Sequence, residues 1–363
     1  MNTQCNAGKT ALVIGGGAPN STLIAGALAA FLEEGISFDV ISASGAGVVM
    51  GLLYTAPKNG TPGEALRRWA DVGVADSIYS MFPVNYKIFK QPGIKAQSYR
   101  DSMQAMAGNP FLNAFTKQFS DATEAWSDWS NLMMSALSPS DLSAKSLGLC
   151  AHLPFIEQAI DFDVIAAMGP AFYINAFNVN QGRMQIWGKH EITARHVRAA
   201  LSFPFLYPPT EIDGNDYIEG AALETLNFKP FIGAPDNPAL ENDVTTIVVL
   251  DILGEERLIR KPRDLYDAWT RSIITPLVQM SKSELRLFEL EHNTDPLSGK
   301  PLRRMLKVDL MAEVPSDHWP QILDWSASNM QLLFDLGYRA GRDFCRRDGG
   351  GLTGSTDDTP LAA

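Results

Sequence analysis

The fold is decided by ten residues, FDVISASGAG, at positions 38–47. Residues 38–42 form a short, mostly apolar run that is typical of a buried strand, and the apolar residues 48–54 beyond the stretch have the character of a helix. The residues at 43–47 are all small. A strand, a sharp turn of small residues and a helix form a nucleophile elbow, whose strained backbone leaves no room for large side chains. The stretch therefore predicts an elbow at the end of a strand.

A second strand–turn–helix unit precedes the elbow. The run TALVI at 10–14 predicts a buried strand that ends in the glycine triplet 15–17. Apolar residues after this triplet keep a helical spacing up to Gly35, a typical helix stop. Two such units in succession predict an α/β fold with a mostly parallel central sheet. The run TTIVVL at 245–250 has the composition of a further central strand.

Three other segments carry clear local signals. The pair Asp213-Gly214 is typical of a two-residue hairpin turn. Residues 264–292 and 320–346 have the composition of helices. The segment 348–363 is rich in Gly, Ser, Thr and Asp, which predicts a disordered C-terminal tail.

The glycine triplet before a helix points to the binding of negative charge. Glycines at such a turn let backbone N–H groups converge at the helix N-terminus, where anions are stabilised. A phosphate cradle and an oxyanion loop for acyl transfer both need this arrangement. The phosphate cradle is disfavoured, since neither the Lys-Ser/Thr of a P-loop nor the acidic residue of a dinucleotide site follows. A plain strand–helix turn stays open as the alternative.

Composition excludes several classes of protein. A hydrophobic fraction of 45 % and a charged fraction of 20 % are those of a globular protein with a large core. The net charge of −11 disfavours a nucleic-acid partner, which requires clustered Lys and Arg. No apolar run reaches the roughly 20 residues of a membrane-spanning helix, so we expect any membrane contact to be peripheral.

The three cysteines, Cys5, Cys150 and Cys345, are far apart in sequence. They form neither a metal-binding nor a disulfide pattern, and the histidines show no ligand spacing. We therefore expect no metal and no cofactor, and a reducing compartment such as the cytoplasm.

Several motifs, in the correct order, resemble the patatin-like phospholipase family. The glycine loop of the family, GGG-x-x-G, is similar to Gly15, Gly16, Gly17 and Ala18, and its FDVIS strand is matched at 38–42. Its ITA-x-H-V helix start resembles ITARHV at 192–197. Two further motifs, PFLFPPVEIDG and Y-x-DGG, resemble PFLYPPTEIDG at 204–214 and YIEGA at 217–221. The likeness extends over about residues 10–250.

The resemblance implies a three-layer α/β domain over residues 8–340, with a helical insertion at about 57–150 after the elbow. It implies hydrolysis of a lipid or fatty-acyl ester, without metal or cofactor, by a Ser–Asp dyad in which no histidine takes part. The residues 15–18 would then form the oxyanion loop.

The sequence departs from the family in the oxyanion loop, where Pro19 and Asn20 stand in place of the usual Arg and Gly and Pro19 offers no N–H donor, and it departs at both members of the dyad. Counted without gaps from Phe38, the nucleophile position falls on Gly45; Ser44 takes that position only if the register slips by one residue. The turn is completed by Ser42, Ala46 and Gly47. The aspartate of the family aligns with Glu219, which is followed by Gly220 and Ala221 and keeps a carboxylate on a side chain one methylene longer.

Two functions are compatible with this altered dyad. The first is an acyl hydrolase in which Ser44 is the nucleophile and Glu219 the base. The second is a catalytically impaired protein of the same fold that binds an acyl chain or a lipid. The Met-, Phe- and Trp-rich residues 103–150 predict a movable apolar cover over the acyl site, with ordinary core packing as the alternative.

Overall fold

The computed structural model describes residues 8–17, 20–73, 76, 156–204, 207–233, 238–263, 265–315, 324 and 326–352. The predicted apolar cover at 103–150 lies outside these residues, as do most of the predicted helical insertion at 57–150 and Ala18 of the predicted oxyanion loop.

The strands of the described chain form one mixed sheet. They are β1 (Lys9–Ile14), β2 (Val40–Ala43), β3 (Ala171–Asn178), β4 (Arg183–Gly188), β5 (Thr210–Ile212), β6 (Asn215–Glu219), β7 (Val244–Leu250) and β8 (Arg304–Lys307). Their order is β5-β6-β3-β2-β1-β7-β8, and β4 also pairs with β3. The strands from β3 to β8 in this order run parallel, whereas β4, β5 and β6 pair antiparallel. The predicted α/β class with a mostly parallel sheet is confirmed.

Helices connect and cover these strands. They are α1 (Ser21–Glu33), α2 (Ala46–Thr55), α3 (Pro62–Ala70), α4 (Ile156–Ala159), α5 (Ala194–Ala200), α6 (Leu265–Leu287) and α7 (Ala327–Asp348). The helix α6 continues as a π-helical turn, Phe288–His292. Helix α3 starts at Pro62, and its capping residue Thr61 accepts a hydrogen bond from the Glu64 backbone N–H, as expected where proline occupies the first helical position.

Each face of the sheet carries its own apolar core. Alternate residues of β1 contribute to different cores, because successive side chains of a strand point to opposite faces. Leu12 and Ile14 belong to the larger core with α1, α2 and α7, and Ala11 and Val13 belong to the smaller one with the segment 226–231 and Phe288. The smaller core lies beneath the functional residues described below.

Helix α1 is buried from Ser21 to Phe31, which explains why its sequence is apolar on every side. Part of this burial comes from α7, which approaches α1 backbone to backbone. A Cβ on Gly26 would lie 2.5 Å from the Tyr338 nitrogen, and one on Gly337 would lie 2.6 Å from the Leu23 carbonyl carbon. Both positions require glycine, because a larger residue would force the helices apart.

The predicted hairpin turn is confirmed. Ile212 of β5 pairs with Asn215 of β6, and the two residues between them have positive φ, 49° at Asp213 and 75° at Gly214. Farther along, the chain remains structured through Leu352, past the start of the predicted tail, and residues 353–363 are outside the described part. Among the described helices, none is both long and apolar enough to cross a membrane.

Candidate active site

The predicted elbow is present between β2 and α2. Strand β2 ends at Ala43 and helix α2 begins at Ala46, so the turn consists of Ser44 and Gly45. Gly45 has φ 51° and ψ −134°, a conformation that costs any residue with a Cβ on the order of 1–3 kcal/mol. The strained residue of the elbow is therefore Gly45, the position reached by counting without gaps.

Glu219 fills the space in front of this glycine. It is the last residue of β6, and only 8 % of its surface is exposed. A Cβ built on Gly45 would lie 3.1 Å from Glu219 Cδ and would overlap Oε1 outright. A Cβ on Gly16 would lie 3.7 Å from the same oxygen. The carboxyl group thus lies between the elbow and the glycine loop, in the volume that a side chain at position 45 would need.

The environment of Glu219 favours the neutral acid. Its carboxyl group forms no hydrogen bond to the described part of the chain, and burial raises its pKa to about 8. No charged neighbour among the described residues contributes to this shift in pKa, so loss of water is the whole cause.

Ser44 has a different partner. It is fully buried, and its hydroxyl donates a hydrogen bond of 3.1 Å to the carbonyl oxygen of Glu224. Ser42, on the same face of β2, donates a hydrogen bond of 2.6 Å to the carbonyl oxygen of Asn227. Both hydroxyls therefore attach the segment 224–227 to β2. No hydrogen bond joins the side chains of Ser44 and Glu219, both of which are described, and their dyad stays a prediction.

The glycine loop adjoins the elbow. Gly15 is held by a hydrogen bond of 2.9 Å from its N–H to the Leu250 carbonyl, and Gly17 has φ 123°. The N–H groups of Gly16 and Gly17 form no hydrogen bond within the described ranges. A Cβ on Gly16 would lie 2.8 Å from the Ala221 methyl group, so glycine is required there. The glycine loop thus offers two N–H donors without a partner among the described residues, and one of them, Gly16, lies next to the Glu219 carboxyl. An oxyanion loop requires such donors.

The turn residues and the end of β6 also pack closely. Gly47 approaches the first strand so closely that a Cβ would lie 2.8 Å from the Ile14 carbonyl oxygen. Ala46, the first residue of α2, is buried, as is Ala221 beside Glu219. A Cβ on Gly220 would lie 2.6 Å from the side-chain oxygen of Asn175, which brings that amide to the residue next to Glu219.

Sequence reasoning did not identify Asn175 as a site residue. It lies on β3 and is fully buried, and its side-chain amide has no hydrogen-bond partner in the described structure. The amide of Asn227 is buried without a partner in the same way. Buried amides without partners are uncommon, and they mark a polar layer beneath the elbow. The signal for Asn175 was available, since its amide interrupts the middle of the strand FYINAFN, whose second amide, Asn178, lies at the strand end.

Glu284 was also missed. It extends from α6 and accepts three hydrogen bonds, from the Thr225 N–H (3.0 Å), the Thr225 hydroxyl (2.8 Å) and the Leu226 N–H (2.9 Å). Burial raises the pKa of Glu284 to about 7, although these hydrogen bonds oppose the shift. Glu284 thereby fixes the segment whose carbonyl groups receive the Ser42 and Ser44 hydroxyls. No sequence signal distinguishes it from Glu289 and Glu291 in the π-helical turn that follows.

No metal centre is formed by the described residues, among which no group of three or more His, Cys, Asp or Glu side chains is suitably placed. What the site offers is backbone N–H donors, a buried carboxyl group and an elbow whose strained residue has no side chain.

An elbow and a glycine loop at the C-terminal ends of adjacent parallel strands define the class: an α/β protein built for acyl transfer. The family model described as patatin-like phospholipase matches residues 12–232, more than half of the chain. The chain therefore belongs to the patatin-like phospholipase family, as the motifs predicted, and the activity associated with that family is lipid acyl hydrolysis.

Comparison with solved structures gives 11 matching chains. One is VipD from Legionella pneumophila, which is 12 % identical in sequence, with a TM-score of 0.38. The alignment covers 94 % of this chain and 67 % of VipD. No curated protein matches the chain significantly in sequence.

Proposed function

We propose that the protein binds the acyl group of a lipid between its glycine loop and its elbow, and that it does so without the serine nucleophile of its family. One observation carries the proposal: the strained residue of the elbow is glycine, and the Glu219 carboxyl occupies the volume of the missing side chain. The N–H groups of Gly16 and Gly17, which have no partner among the described residues, would supply donors for the acyl carbonyl oxygen.

The second candidate is hydrolysis by a Ser44–Glu219 dyad. It is favoured by the raised pKa of Glu219, about 8, which is suited to a general base. It requires the Ser44 hydroxyl to leave the Glu224 carbonyl and turn toward Glu219. That carbonyl would then lose its partner at a cost of about 1–3 kcal/mol, which makes this candidate the weaker of the two.

A serine-directed probe distinguishes the two candidates. We expect an alkyl fluorophosphonate to leave the wild-type protein unlabelled, while an unreactive ketone analogue of a fatty-acyl ester, which keeps the carbonyl oxygen, binds with measurable heat in titration calorimetry. Labelling that disappears in Ser44→Ala would establish the dyad. Absence of binding across analogues of different chain length would overturn the proposal itself.

Two further proposals concern where the protein acts. A cytoplasmic location is supported by the cysteine pattern, and peripheral contact with lipid surfaces is supported by the substrates of the family. Cell fractionation tests the first proposal. Flotation with phospholipid vesicles tests the second, and a protein that stays at the bottom of the gradient contradicts it.

A further inference from the structure

We infer that Glu219 is itself the nucleophile of this site and that it cleaves acyl thioesters. This inference rests on the proposed function, since the acyl group must first bind beside the glycine loop. It goes further in assigning a reaction and a substrate class to a site without an elbow serine.

The position of the carboxyl group is the first support. A serine at position 45 would place its hydroxyl oxygen one covalent bond beyond its Cβ, and Glu219 Oε1 already overlaps that Cβ position. The carboxylate oxygen therefore stands where the family presents its nucleophile. Glutamate is one methylene longer than aspartate, and this extra length brings its carboxyl group into the space left by the missing side chain at position 45.

The second support is that the carboxyl group and the polar groups near it form no hydrogen bonds within the described chain. Glu219 forms no hydrogen bond within the described chain, and neither do the N–H groups of Gly16 and Gly17. The Asn175 amide, packed against the neighbouring Gly220, is also without a partner. A buried carboxylate that is not stabilised by hydrogen bonds is a stronger base and a better nucleophile than a solvated one.

The substrate class follows from leaving-group chemistry. A tetrahedral species expels whichever substituent is the weaker base, so a carboxylate that attacks an alkyl ester is itself expelled in preference to the alkoxide. A thiol has a pKa of about 8.5. Burial makes the Glu219 carboxylate more basic than an ordinary one, and a thiol is far more acidic than an alcohol, so a thiolate competes as a leaving group where an alkoxide does not. The site is therefore matched to acyl thioesters rather than to alkyl esters.

The reaction balances with water as the only co-reactant. In the ionised form, which the neutral acid reaches by giving its proton to solvent, Glu219 Oε1 forms a bond to the acyl carbon, and the carbonyl electron pair moves onto oxygen, which the Gly16 and Gly17 N–H groups would stabilise. Return of that pair breaks the carbon–sulfur bond, and the thiolate leaves. Water then adds to the mixed anhydride, which releases the fatty acid and restores the Glu219 carboxylate, while the proton lost by water goes to the thiolate or to solvent.

The test uses the full chain and a long-chain acyl thioester, with thiol release followed by a chromogenic disulfide. We expect slow turnover that falls about 10³-fold in Glu219→Gln, a change that keeps the size of the side chain. We expect a loss of about 100-fold in Glu219→Asp, whose carboxylate is withdrawn by about one bond. Glu211→Gln, at an exposed position of β5, is the matched control and leaves turnover unchanged.

A trapping experiment separates a nucleophile from a base. Added during turnover, hydroxylamine should convert the Glu219 anhydride to a hydroxamate that peptide mass spectrometry detects in the wild type and not in Glu219→Gln. Turnover without the hydroxamate, or turnover that survives in Glu219→Gln, overturns the inference. Binding of the ketone analogue without thiol release overturns it as well but leaves the proposed function standing, whereas loss of that binding rejects both.

Discussion

The two strand–turn–helix units at the centre of the sheet differ in which features of the family's active site they retain. The first, between β1 and α1, retains backbone donors at Gly16 and Gly17 with no partner in the described chain. The second, between β2 and α2, retains the strained turn but carries glycine at the strained position. In the proposed site, the half that would hold an acyl oxygen keeps the glycines of the family, while the half that would attack the acyl carbon is rebuilt around Glu219. Backbone geometry and reactive side chain are therefore separable in this fold.

We expect the largest effect on activity from restoring a serine to the elbow between β2 and α2. Gly45→Ser alone places a Cβ on top of the Glu219 carboxyl, so we expect loss of stability and no esterase activity. Gly45→Ser combined with Glu219→Asp makes room for the hydroxyl and recreates a serine–aspartate dyad. The double variant should hydrolyse an aryl ester about 10³-fold faster than either single variant, because general-base assistance contributes on that order. Equal rates in the single and double variants would show that the two positions are not coupled.

The next effect concerns the buried carboxyl group. Burial raises the pKa of Glu219 from 4.5 to about 8, so the folded state holds a proton that the unfolded state has lost between those values. Stability due to this group is full below pH 4.5 and falls as pH rises toward 8, by about 3–4 kcal/mol. Glu219→Gln removes this dependence. Urea unfolding at pH 5, 6.5 and 8 measures it, with the exposed Glu211→Gln as control; parallel pH profiles for wild type and Glu219→Gln would contradict the buried, neutral acid.

A smaller effect is expected at the support of the site. Glu284→Ala removes the acceptor of three hydrogen bonds and leaves the Thr225 and Leu226 N–H groups buried without partners. We expect a loss of about 2 kcal/mol in the free energy of unfolding. Glu289→Ala, an exposed change just beyond the same helix, should cost less than about 0.5 kcal/mol. Similar losses in the two variants would mean that Glu284 does not hold the segment 224–227.

The smallest effect tests the serine next to the elbow. Ser44→Ala breaks one hydrogen bond to the Glu224 carbonyl, so we expect a loss of about 1 kcal/mol in unfolding free energy. Thioester turnover should stay within about twofold of the wild type, because Ser44 contributes structure rather than chemistry. Turnover abolished in Ser44→Ala, with the melting temperature preserved, would return the nucleophile to Ser44.

The fold was accessible from sequence because its signals are local. The strands at 10–14 and 38–42, the glycine triplet and the Asp213-Gly214 turn each depend on neighbouring residues, and all occur where they were expected within one or two residues. The order of family motifs then predicted the sheet as a whole. Element ends were predicted less closely: α7 ends at Asp348, two residues beyond the predicted end and inside the predicted tail.

The site was only partly accessible, because its decisive contacts are not local. Counting along the chain identified Gly45 and Glu219 separately. The Glu219 carboxyl fills the space of the missing side chain at Gly45. This contact depends on the order of the strands in the sheet, in which β3 separates β6 from β2. Glu284 reaches the site from a helix that begins far along the chain, and a sequence pattern carries no information about that approach.

The glycine contact between α1 and α7 has a consequence for biosynthesis. Helix α1 ends at Glu33 and its covering helix begins at Ala327, so the ribosome adds almost three hundred residues between them. At a synthesis rate of about 5–20 residues per second, roughly 15–60 s pass before α7 can cover the apolar surface of α1. During that interval, the helix that follows the glycine loop must be shielded by a chaperone or by other parts of the nascent chain. The glycine loop and the helix α1 that follows it therefore reach their final support only when α7 is made.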